Sequence, residues 1–100
     1  MSFKVEFRPA ARLEFDEAAD WYEEQQPGLR AEFVREIDSV VSRIADRPLS
    51  FPVVQGSGIR RALVGRFPYA VLFEVSDELL VVHALFHTSR NPMIWRGRID

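Results

Sequence analysis

The chain has 100 residues, 47% of them hydrophobic and 28% charged, and a net charge of −2; this describes one globular domain, residues 1–100, with a single core and only shallow sites. Cysteine is absent, which excludes disulfides, thiol catalysis and thiolate metal centres. No apolar stretch approaches the roughly 20 residues of a membrane span and Met1-Ser2-Phe3-Lys4 lacks the apolar core of a signal peptide, so a cytoplasmic protein with no membrane contact is expected.

Residues 3–8 alternate apolar and polar and predict a strand that buries Phe3, Val5 and Phe7. Pro9 stops the strand and opens a helix at its first turn. Over residues 10–26 apolar side chains recur at three- and four-residue intervals (Leu13 or Ala11, Phe15, Ala18, Ala19, Tyr22), giving an amphipathic helix with an acidic outer face, in which Trp21 and Tyr22 are expected to pack inward. Pro27-Gly28 ends it. A second helix follows over 29–46, with Phe33, Ile37, Val40, Val41 and Ile44 as its apolar stripe, and the short break makes the pair an antiparallel hairpin.

Pro48 and Pro52 forbid further helix. Gly56-Ser57-Gly58 marks a turn into a strand over 59–64. Residues 68–75 alternate around Tyr69, Val71, Phe73 and Val75, and Ser76-Asp77-Glu78 links them to a last strand over 79–86. The order β-α-α-β-β-β implies an α+β fold: a helical hairpin on one face of a mainly antiparallel four-stranded sheet, the other face at least partly open. The last strand, apolar on both sides, belongs at the centre of the sheet.

Charge is divided unevenly. Residues 1–46 hold six Lys or Arg against eleven Asp or Glu, and residues 47–100 hold seven Arg against four acids. Twelve of the thirteen basic residues are arginine, a bias that suits bidentate and stacked contacts, although high-GC codon usage produces the same skew. Arg60, Arg61, Arg66, His87, Arg90, Arg96 and Arg98 come from neighbouring strands and the chain's last segment, and are expected to converge on a concave basic patch able to bind RNA or protein carboxylates, with Trp95 able to stack a base. His87, at the exit of the last strand, has a side chain suited to proton transfer near neutrality. His83, four residues earlier, is expected on the same strand face about 13 Å away, too far to share a metal. No metal motif, paired-carboxylate site, catalytic triad or phosphate-cradling glycine loop is present, and no cofactor is implied.

The element order, the segment Arg60-Arg61-Ala62-Leu63-Val64-Gly65-Arg66-Phe67-Pro68-Tyr69-Ala70-Val71-Leu72-Phe73 and the ending His87-Thr88-Ser89-Arg90-Asn91-Pro92 with Trp95 and Arg96 together resemble the RelE/ParE superfamily of type II toxin–antitoxin toxins, the proteins of plasmid stabilisation systems. That resemblance implies a small toxin neutralised by a cognate antitoxin. RelE-like members cleave mRNA in the ribosome without a metal, whereas ParE-like members inhibit DNA gyrase. In the first case Arg61, Arg66 and Arg90 would hold the phosphate and His87 would transfer a proton, which makes His87 and Arg90 the catalytic candidates. This chain departs from the nuclease pattern by carrying Ala70 after Tyr69 and no Tyr at its end, and its isoelectric point of about 5.7 ill suits a ribosomal RNA surface. The resemblance therefore leans to a ParE-like, non-enzymatic inhibitor. A ribosome-dependent mRNA interferase is the alternative, and a non-toxic binding module of the same fold the third reading.

Overall fold

The computed structural model describes residues 3–54 and 58–89. Strand β1 (Lys4–Phe7) leads directly into helix α1 (Pro9–Gln25), which is followed by α2 (Leu29–Asp46), a single 3-10 turn (Pro48–Ser50), and the strands β2 (Arg60–Leu63), β3 (Tyr69–Ser76) and β4 (Leu79–His87). The expected α+β order is borne out. In the sheet the strands lie β1-β4-β3-β2, with β1 parallel to β4 and the other neighbours antiparallel. The helical hairpin thus carries the chain from β1 at one edge of the sheet to β2 at the other, and β4 occupies the interior position that its two apolar faces require.

Spacing explains the helical layer. Phe33, Ile37, Val40 and Ile44 fall on one stripe of α2 and all are buried, whereas α1 buries small side chains, Ala11, Ala18 and Ala19, which let its backbone approach the sheet closely. Between the helices Gly28 adopts φ 97°, a left-handed conformation that glycine reaches without a Cβ penalty. The Glu23 carboxylate of α1 accepts hydrogen bonds from the backbone N–H groups of Gly28 and Arg30, both at 3.1 Å. One side chain of the first helix thereby satisfies donors left open at the start of the second. Arg30 also pairs with Asp20, fastening the same corner.

The main core lies between the helices and one sheet face, where Ala62, Val64, Val71, Phe73, Leu80, Val82 and Leu85 meet the helical stripe. The opposite face carries a smaller core of Ile59, Leu72 and Ala84, with Val54 and Phe86 packed against it. Arg60 holds the approach to β2 in place: its Nη1 donates to the carbonyl oxygen of Phe51 at 2.6 Å. Val54 and Ile59, which precede β2, partly close the face away from the helices.

One irregularity redirects the side chains of β4. Phe73 pairs with Val82 but Leu72 pairs with Ala84, so His83 is the extra residue of a β-bulge, and alternation restarts beyond it. His83 consequently faces the side opposite the helices, where its Nε2 lies 2.9 Å from Glu74 Oε1. His87 faces the helices, edge-on to Tyr69. The expectation that the two imidazoles share a face is corrected: simple period-two counting fails across a bulge. Among the described residues no three potential metal-ligating side chains gather, and no helix is long and apolar enough to cross a membrane.

Candidate functional site

Strand β1 ends at Phe7, whose partner is Val82, and Pro9 turns the chain into α1. Ala84–His87 of β4 are therefore paired with β3 on one side but have lost β1 on the other. Helix α1 runs beside this vacated edge. The backbone N–H of Leu85 donates to Glu14 Oε1 at 3.0 Å, so a helix carboxylate satisfies a donor that a longer first strand would have taken.

A cleft of about 500 Å3 lies between the helix and the end of the sheet. Glu14, Glu17, Ala18 and Trp21 supply its helical wall and Tyr69, Leu85 and His87 its sheet wall. The helical residues are spaced three, four and seven apart, so they line one face. A relay of edge-on aromatic contacts crosses the cleft: Trp21 to Tyr22 with centroids 5.1 Å apart, Tyr22 to Tyr69 at 6.4 Å and Tyr69 to His87 at 5.1 Å. Beneath them Tyr22 packs on Phe33 and Phe67, as its helical position predicts. Trp21 does not pack inward as expected: it is 54% exposed and forms the outer lip. The His87 Nδ1 accepts from the Ser89 backbone N–H at 3.2 Å, which places the proton of the neutral ring on Nε2.

Burial, and secondarily the neighbouring Tyr69, push the Tyr22 hydroxyl pKa above its usual value near 10. The unfolded chain then loses this proton first as pH rises, so stability falls once pH passes about 10. Urea midpoints measured between about pH 9 and pH 11 are expected to drop further in the parent than in Tyr22→Phe; equal drops would remove Tyr22 as the cause.

The arginines predicted to converge are held apart. Arg60 is engaged with the carbonyls before β2. Arg61 is exposed on the sheet face away from the helices, flanked in the strand by the inward-facing Ala62. Arg66, in the β2–β3 turn, reaches the helical layer, where its Nη2 lies 2.7 Å from Glu32 Oε1 and its guanidinium overlies Phe67. None of these lines the cleft that contains His87. Strand register decides this: Arg60 and Arg61 are adjacent, so they point to opposite faces. Arg90, Trp95, Arg96 and Arg98 lie outside the described residues.

Residues 5–92 match the ParE toxin family of type II toxin–antitoxin systems, parDE. The chain belongs to the ParE toxin family. The toxin's fold is similar to a chain of the chromosomal ParDE toxin–antitoxin system from P. aeruginosa, with a TM-score of 0.76 and 16% identity over 86% of this chain and 96% of that one. It is also similar to a chain of the RelBE2 toxin–antitoxin complex from Mycobacterium tuberculosis, with a TM-score of 0.59 and 20% identity over 87% of this chain and 99% of that one. At such identities the likeness is one of fold. No curated protein matches the toxin by sequence.

Of the cleft residues the sequence singles out His87 alone: Glu14 and Glu17 read as the acidic, solvated face of α1, and Trp21, Tyr22 and Tyr69 as packing groups. A signal was present. Glu14, Glu17, Ala18 and Trp21 fall three, four and seven residues apart, which puts an indole and two carboxylates on one helix face.

Proposed function

We propose that this ParE-family toxin stops growth by binding an essential protein, DNA gyrase, without catalysing a reaction, and that a cognate antitoxin protein neutralises it. The observation that carries the non-enzymatic reading is the setting of His87. It lies in a cleft with Glu14 and Glu17, while Arg61 and Arg66, which would hold a scissile phosphate, stand on the opposite sheet face and in an ion pair with α2. Carboxylates beside the imidazole repel an RNA phosphate, whereas the aromatic groups suit a protein surface. The P. aeruginosa and M. tuberculosis relatives are toxin–antitoxin systems, which supports an antitoxin as the natural partner here.

Purified toxin is expected to abolish gyrase supercoiling of plasmid DNA at concentrations comparable with those that arrest growth. Unimpaired supercoiling by gyrase saturated with toxin overturns the gyrase assignment. Cleavage of mRNA in the ribosomal A site, lost in His87→Ala, would put the interferase reading in its place, and normal growth on induction would favour a non-toxic module.

A further inference from the structure

We propose that the cleft between α1 and the end of β4 is a guanidinium-binding pocket, filled by an arginine side chain of the antitoxin; the identity of that source rests on the reading above. Charge comes first. Helix α1 carries Glu14, Asp16, Glu17, Asp20, Glu23 and Glu24 against Arg12 alone. Asp16 faces Arg12, Asp20 faces Arg30, and Glu23 is occupied by the backbone at the hairpin. Glu14 is engaged with Leu85. Glu17 is an exposed cleft residue with no hydrogen-bond or ion-pair partner among the described residues. Among the described residues the cleft therefore presents an uncompensated carboxylate, and His87 is the one basic group that lines it.

Shape and chemistry narrow the occupant. Trp21 offers an indole at the lip, 54% exposed, with Tyr22 and Tyr69 behind it. A cation over aromatic faces gains from their quadrupoles, and a carboxylate at the rim adds a charge-assisted hydrogen bond. A guanidinium satisfies both at once, because it is planar, weakly hydrated and forked, whereas an ammonium is a compact and strongly hydrated point charge. A volume of about 500 Å3 exceeds what a free guanidinium needs and accommodates a whole side chain with the backbone that bears it. That backbone has a place to lie across the mouth of the cleft, where Glu17 and Trp21 are exposed, so a segment crossing there lowers its side chain into the cleft.

The test uses the full-length toxin and N-acetyl-arginine amide as probe, with N-acetyl-citrulline amide as its uncharged isostere. The indole Nε1–H resonance of Trp21 is assigned by its loss in Trp21→Phe. Arginine amide is expected to shift this resonance saturably, and citrulline amide to bind about tenfold more weakly. Glu17→Gln, an exposed isosteric change, is expected to weaken arginine amide about fivefold and leave citrulline amide unchanged. Equal binding of the two amides, or arginine binding indifferent to Glu17→Gln, overturns the pocket.

A second arm measures affinity for the protein encoded beside the toxin gene. The double variant Glu17→Gln/Trp21→Ala is expected to lose at least about tenfold relative to the parent. Undiminished affinity overturns the antitoxin contact while leaving the toxin–antitoxin reading intact. A parent toxin that forms no complex with that protein overturns the functional reading and the assigned source of the guanidinium, and the amide titration decides the pocket's chemistry independently of either.

Discussion

Phe33→Ala is expected to destabilise the toxin by about 3–5 kcal/mol, a large part of the roughly 5–15 kcal/mol by which small domains are stable. Phe33 is fully buried and touches four rings: Phe15 at 5.8 Å, Tyr22 at 5.2 Å, Phe67 at 5.1 Å and Tyr69 at 5.6 Å between centroids. Those rings come from α1, the β2–β3 turn and β3. No single element can relax into the space without pulling away from another, so the cavity persists and the cost lies toward the upper end of the range. In urea the midpoint falls and the slope is unchanged if the native state stays compact. Phe33→Leu, which restores most of the lost volume, is expected to recover more than half of the loss. A loss below about 1 kcal/mol for Phe33→Ala would show that this cluster is dispensable. Because Tyr22 and Tyr69 both rest on Phe33, the alanine variant also unseats the back wall of the cleft and weakens function beyond its effect on stability.

Particular residues show how far the sequence was legible. The stripe Phe33, Ile37, Val40 and Ile44 read correctly because a helix repeats every 3.6 residues whatever it packs against. Strand β4 read as interior because Leu79-Leu80-Val81-Val82 carries apolar groups on both faces, and only a strand covered on both faces tolerates that. The site read less well because its geometry arises from non-local choices. A one-residue bulge at His83 reversed the relation between the two imidazoles, and nothing in Val82-His83-Ala84 announces it. Neighbouring strands of a meander bring the arginines to one region, but Arg60 and Arg61 necessarily point apart in a strand, and Arg66 is drawn to Glu32 across 34 residues of sequence. The cleft itself depends on where β1 stops relative to β4, a register set only in the folded sheet.

Glu14→Ala is expected to destabilise the toxin by about 1–3 kcal/mol through a contact between residues 71 positions apart. The cost comes from the Leu85 N–H, not from the carboxylate. Leu85 is 4% exposed, and its amide points to the side where β1 has already ended, so without Glu14 it has neither a strand nor a fully open path to water. Glu14→Gln retains an acceptor oxygen at the same reach and is expected to cost no more than about 1 kcal/mol. Hydrogen exchange separates the two: the Leu85 amide should lose protection in Glu14→Ala far more than in Glu14→Gln, with α2 amides changing only as global stability does. Ala84–His87 depend on β3 alone for strand pairing, so loosening this end shifts His87 against Tyr69 and distorts the sheet wall of the cleft. Glu17→Gln should leave both stability and Leu85 exchange at parental values, because Glu17 makes no such bond. Were the two positions to behave alike, the division of α1 into a carboxylate that holds the strand and one that is free to bind a cation would fail.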